Sequence, residues 1–134
     1  MANAIYPLYK QAILSGGSNV DLSAGTVKVA LVDTGTYTYS SSHQYYSSVS
    51  SAVVGTPATL TSKTFTSGTF DAADVTFTAV SGSTVEALVI YVDTGSSATS
   101  PLVAYIDTSV SGFQLTPNGG DVALTWNASG IFAL

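Results

Sequence analysis

Cysteine is absent from this chain of 134 residues, which excludes disulfide frameworks, thiolate metal sites and thiol nucleophiles together. Arginine is absent as well, and the three lysines, Lys10, Lys28 and Lys63, are scattered. With eight acidic residues and a net charge of −5 there is no basic stripe to neutralise phosphates, so nucleic acid is not an expected partner. No apolar run reaches the ~20 residues of a membrane-spanning helix. The opening Met-Ala-Asn-Ala-Ile-Tyr-Pro-Leu-Tyr-Lys lacks the basic start and long apolar centre of a secretory leader. Cytosolic synthesis and no membrane are therefore expected, which makes the sequon at Asn127-Ala128-Ser129 a chance match. Catalytic signatures are also missing: no phosphate-binding Gly-rich loop, no Gly-x-Ser-x-Gly elbow, and one histidine, His43, with no second His or Cys to share a metal.

Charged residues make up 8% of the chain, against roughly a quarter in ordinary globular domains. Twenty serines and eighteen threonines take their place, so the surface is solubilised by hydroxyls and offers little like-charge repulsion between copies. A hydrophobic content of 46% suffices for a real core without cofactor or metal. The expectation is one mainly β domain over residues 1–134, a β-sandwich or jelly-roll-like fold over 18–134 preceded by a short helix and turn over 1–17.

The chain is organised around Thr84 to Gly95, Thr-Val-Glu-Ala-Leu-Val-Ile-Tyr-Val-Asp-Thr-Gly. Its β-branched residues favour extended backbone, and a run apolar at both alternating positions predicts a central strand covered on both faces. Ahead of it, Ile5, Leu8, Tyr9, Ala12 and Ile13 fall at helical spacing, with Pro7 acceptable in a first turn and Ser15-Gly16-Gly17 as a stop. Val27, Val29 and Leu31 alternate with Lys28 and Ala30 in a strand that ends at Asp33-Thr34-Gly35. Thr36 to Ser51 reads as a long loop rich in tyrosine. Ala58 to Thr66 reads as a Thr-rich strand turned by Ser67-Gly68, and Val75, Phe77 and Ala79 give a clean period of two. Ser81-Gly82-Ser83 predicts a hairpin into the central strand, and Pro101 to Ile106 returns as that strand's neighbour. Pro117-Asn118-Gly119-Gly120 is a further turn, after which Val122, Leu124 and Trp126 share a face and Ile131 to Leu134 closes the chain.

Three apolar strands end alike: Val29 to Gly35, Val89 to Gly95 and Val103 to Ser109 each finish in Asp-Thr. Asp-Thr-Gly after two apolar residues is the signature of aspartic proteases, whose chemistry needs two carboxyls, here Asp33 and Asp93, close enough to share a proton. The alternative is that each aspartate binds backbone amides where its strand ends. Asp71 and Asp74 pose a similar choice between a calcium ligand pair and a turn cap. In both cases the turn is the expected role.

Five segments carry a family resemblance: Met-Ala-Asn-Ala-Ile-Tyr at the start, Thr26 to Asp33, Phe70 to Gly82, Glu86 to Tyr91, and Thr116-Pro117-Asn118-Gly119-Gly120-Asp121-Val122. Together they resemble small structural proteins of tailed bacteriophages, over nearly the full length. The resemblance implies a non-enzymatic virion component assembled in the bacterial cytoplasm, foremost a capsid decoration or cement protein bound over the major capsid protein. It implies no cofactor, and partners that are the major capsid protein and further copies of the chain as dimer or trimer. A tail or fibre component is the alternative within that class. The expected contact residues are the loop tyrosines Tyr37, Tyr39, Tyr45 and Tyr46, then Ile5, Leu8 and Tyr9 of the helix, because phenols bring area and a hydrogen bond to an interface at low entropy cost.

Overall fold

Residues 3–107 and 115–134 are described by the structure, a computed structural model. The element order is β1 (Ala4–Ile5), α1 (Pro7–Leu14), β2 (Thr26–Val32), β3 (Val53–Thr59), β4 (Thr64–Thr66), β5 (Thr69–Asp71), β6 (Val75–Phe77), β7 (Ala87–Asp93), β8 (Leu102–Ile106), β9 (Val122–Leu124) and β10 (Phe132–Ala133), with two 3₁₀ turns at Tyr46–Ser48 and Ser50–Ala52. The protein is mainly β with one short helix, as its sequence predicts.

Five antiparallel strands in the order β1-β8-β7-β2-β3 form the main sheet, with β7 at its centre. From Ala87 to Val92 every residue of β7 is buried, as is all of β8 and the stretch Val29 to Val32 of β2. Both faces of these central strands are thus covered by the chain itself, which is why they are apolar at consecutive positions, whereas the edge strand β3 is mostly half-buried or exposed. Smaller sheets, β10-β5-β4 and β6-β9, complete the fold, and their inward residues Phe70, Val75, Phe77, Val122 and Leu124 belong to the same continuous core.

The pairing of β6 departs from expectation. Its partner is β9, not β7, so Ser81-Gly82-Ser83 joins two different sheets and makes no hairpin. A strand buried on both faces needs apolar neighbours, and β2 and β8 supply them. By contrast β6 and β9 each present one buried and one exposed face, and match each other. The Thr-rich strand is also broken. Pairing with β2 ends at Thr59, Ser62 adopts φ +53°, and a new hairpin forms from β4 and β5 across Ser67 (φ +52°) and Gly68 (φ +79°). Two successive left-handed residues match the right-handed twist of a tight hairpin.

Ile5, expected in the helix, lies instead in β1, paired with Ala104. Pro7 opens α1, where its missing N–H costs nothing. The helix ends as anticipated: Gly16 at φ +68° lets Gly17 N–H reach the Ala12 carbonyl at 2.7 Å and Ser15 N–H reach Gln11 at 3.0 Å.

Candidate functional site

An eight-residue helix cannot stand alone in water, and α1 is rooted by its tyrosines. Tyr6, at its cap, is fully buried and shares a 2.8 Å hydrogen bond with the Tyr37 hydroxyl. Tyr9 is buried and donates to the Val20 carbonyl at 2.7 Å. With these side chains pointing down, the remaining positions form two flanks of a ridge. Leu8, Gln11, Ala12 and Ser15, spaced three and four apart, face one concavity, whereas Lys10, Ile13 and Leu14 face another.

The first concavity is a groove of about 400 Å³. Its opposite wall is Gln44, Tyr45, Thr99 and Pro101, its end the turn of Ser18, Asn19 and Val20, and it carries no charged side chain. Hydrogen bonds hold these walls: Leu102 N–H to the Gln44 carbonyl (2.8 Å), Tyr46 N–H to the Ser100 carbonyl (2.8 Å), and the Ser100 hydroxyl to the Ser96 carbonyl (2.7 Å). Ser100 is itself buried and accepts from Thr94 N–H, so the Asp-Thr-Gly turn at the end of β7 braces one side of the groove.

The second concavity is an apolar depression of about 320 Å³ lined by Ile5, Lys10, Ile13, Leu14, Ala133 and Leu134. Five large hydrophobic residues are exposed among those described, and three of them, Ile13, Leu14 and Leu134, meet here; Leu14 is 89% exposed. Lys10 is also distinctive. Lys28 is paired with Asp93 at 2.7 Å, and Lys63 donates to the carbonyls of Leu22 and Gly25 at 2.6 and 2.8 Å, which leaves Lys10 as the one ammonium without such a partner among the described residues.

The loop tyrosines divide. Tyr37 is 4% exposed and Tyr9 3%, so both are core residues, and the expectation that they form a contact surface is corrected. Tyr37 reaches His43 Nδ1 at 2.9 Å through its hydroxyl, completing a line from Tyr6 to the surface. Tyr39, half-buried, packs against the rings of Tyr6 and Tyr105 at 5.1 and 5.4 Å. Tyr46 stacks on Tyr91 at 4.0 Å and 14°. Tyr45 alone of the four is exposed, at the groove's rim. Leu8 and Ile5 are half-buried, Leu8 in the groove and Ile5 in the depression.

Burial raises the phenols of Tyr6 and Tyr91 well above the ordinary range and pushes Tyr9 up to about 12. The Lys28 ammonium, then the Gly95 amide, hold the Asp93 carboxyl below its usual value. Asp21 is lowered mainly by the Ser23 hydroxyl and by the amides of Ser23 and Ala24.

Asp33 and Asp93 do not converge within the chain. Antiparallel register pairs Thr26 with Asp93 and Val32 with Ala87, so the two aspartates terminate β2 and β7 at opposite ends. Each instead accepts the N–H of its own glycine, Gly35 at 2.8 Å and Gly95 at 2.9 Å. In the third repeat the Asp107 N–H donates to the Asn3 side-chain oxygen at 2.8 Å, while Thr108 and Ser109 lie outside the described residues. Asp71 accepts from Ala72 N–H and Asp74 from Trp126 N–H, both at 2.9 Å, a turn and a cross-strand brace. No group of three or more His, Asp or Glu able to hold a metal occurs among the described residues, and none of their helices is long and apolar enough to cross a membrane.

Sequence reasoning missed Leu14, Leu134 and the groove's amides. Leu14 does carry a signal, since it falls off the stripe of Ile5, Leu8, Tyr9 and Ala12 yet is large and apolar just before the stop. Exposed glutamines such as Gln11 carry none. The chain matches no known protein family and no curated protein.

Proposed function

We propose that the chain is a non-enzymatic structural protein of a tailed-phage virion, a decoration protein that docks on the major capsid lattice through the apolar depression beside α1. The resemblance read in the sequence supplies the class. The observation that carries the docking surface is the gathering of Ile13, Leu14 and Leu134 around one depression, where just two other large hydrophobic residues among those described, Tyr45 and Phe65, are exposed. Burying a leucine contributes about 1.5–3 kcal/mol, so each contact is modest and attachment relies on many copies engaging a repeating lattice. With Lys10 the only charged side chain lining the depression, adhesion depends weakly on salt.

The test uses particles that lack this protein, prepared from the phage that encodes it, with purified chain added back. Wild type saturates the shell, and Leu14→Ser lowers occupancy at least about ten-fold without lowering the melting temperature. Density for the protein on the tail rather than the shell, in an electron-microscopy map of the native particle, replaces this reading with the tail component. Full occupancy by Leu14→Ser removes the depression as the docking surface.

A further inference from the structure

The groove on the opposite flank of α1 has a different chemistry and takes no part in the docking just described. We infer that it is a binding site for a neutral saccharide. Gln11, Gln44, Asn19 and Tyr45 line it, and none of these four side chains is engaged in a hydrogen bond with another described residue. A primary amide offers donors and an acceptor together, as a sugar hydroxyl does, so three amides around one concavity can serve several hydroxyls. The exposed ring of Tyr45, with Leu8 and Pro101, supplies apolar surface for the C–H face of a pyranose. A volume of about 400 Å³ lies within the range of small-molecule sites.

Other ligand classes fit less well. Phosphates and carboxylates need cations or clustered N–H groups, and the lining has no Lys and no Arg. An extended peptide would add to a strand edge. Beside the groove the start of β8 is already paired, by the bridge between Tyr45 and Pro101 and by Leu102 N–H on the Gln44 carbonyl, which leaves no strand edge there for a peptide to join. Amides and hydroxyls around the rim also make the site too polar for a lipid chain. The walls are tied by Ser100 and by Tyr9 on Val20, so little ordering is required on binding.

Amide chemical shifts of the isotope-labelled full chain test this, during titration with glucose, galactose, mannose, N-acetylglucosamine and their neutral disaccharides to tens of millimolar. At least one sugar should give saturable shifts confined to Gln11, Asn19, Gln44, Tyr45 and their neighbours. Gln44→Ala and Tyr45→Ala should each weaken it by about ten-fold, the loss expected when one good hydrogen bond or ring contact goes. Leu14→Ser, on the other flank, should bind as wild type. Gln11→Ala, on exposed helix, gives the same readout should Tyr45→Ala melt early. The inference is overturned if no neutral sugar gives saturable shifts, if shifts appear elsewhere, if the groove variants bind normally, or if uncharged Ser/Thr-rich peptides occupy the groove and sugars do not. Because no particle is involved, the result is independent of where the protein docks.

Discussion

Asp33 and Asp93, the aspartates of the two Asp-Thr-Gly triplets, stand at opposite ends of the β2–β7 pair, seven register positions apart and roughly 20 Å at about 3.3 Å per residue. A proton cannot be shared over that distance, so within one chain the triplets act as strand terminators. Asp93→Asn keeps an acceptor for Gly95 N–H and loses only the half-exposed pair with Lys28, so a cost under about 1 kcal/mol is expected in urea unfolding. Cleavage of a peptide library that disappears with Asp93→Asn would refute this.

Tyr45 and Tyr46 are adjacent but unlike. Tyr46→Ser removes a ring stacked on Tyr91 and should cost about 2 kcal/mol, combining lost burial with a lost aromatic pair. Tyr45→Ser removes a ring exposed at the groove and should change stability by less than about 0.5 kcal/mol. Equal losses in denaturant titrations of the two variants would show that Tyr45 is also a packing residue.

How far the sequence discloses this fold follows from the physics of each element. β2, β7 and β8 are legible because burial on both faces demands consecutive apolar residues, and α1 is legible from Pro7 and Gly16-Gly17. The pairing of β6 with β9 is not, since an alternating strand declares which face is buried but not against what, and its partner lies some 45 residues away. Tyrosine is ambiguous for another reason. Its ring is apolar and its hydroxyl polar, so Tyr37 in the core with partners Tyr6 and His43 and Tyr45 at a rim look alike in sequence. The groove arises from side chains scattered between Leu8 and Pro101, which no local pattern connects.

Alkaline pH should unfold the protein cooperatively. Tyr6, Tyr9 and Tyr91 have raised folded values, so their contribution is complete below the ordinary phenol value of about 10 and is lost as pH rises through the folded values. From there to pH 12 the unfolded chain releases these protons and the folded one keeps them, so stability falls by about 1.4 kcal/mol per pH unit for each phenol. Tyrosinate absorbance should therefore rise together with loss of far-ultraviolet structure. Independent titration of most phenols near pH 10 in a still folded protein would contradict it. Asp93 acts at the other limit: its lowered carboxyl stabilises above the ordinary carboxylate value and that stability fades as pH falls through the folded one.

Lys63 ties the approach to β4 onto the turn that precedes β2, by donating to the carbonyls of Leu22 and Gly25. Lys63→Met keeps the stem but strands two acceptors, and should cost about 1–3 kcal/mol. Hydrogen exchange should quicken at Gly25, whose N–H closes that turn on Asp21 at 3.0 Å. Unchanged exchange there would mean that water replaces the ammonium without loss.

Self-association should follow from the same scarcity of charge that marks the sequence. Two of the three lysines are held by Asp93 and by backbone carbonyls, while Leu14 and Leu134 face water beside Ile13. At physiological salt the Debye length is about 8 Å, so a net charge of −5 spread over the surface opposes apolar contact only weakly. Sedimentation at micromolar concentration should therefore reveal a dimer or trimer that strengthens slightly with added salt, since screening removes the residual repulsion. Leu14→Ser should shift the association at least about ten-fold toward monomer, because burial of one leucine contributes about 1.5–3 kcal/mol. A strict monomer across that range would show that the depression engages a foreign surface alone. An oligomer indifferent to Leu14→Ser would move the self-contact elsewhere, with β4 and its half-exposed Phe65 the next edge to substitute.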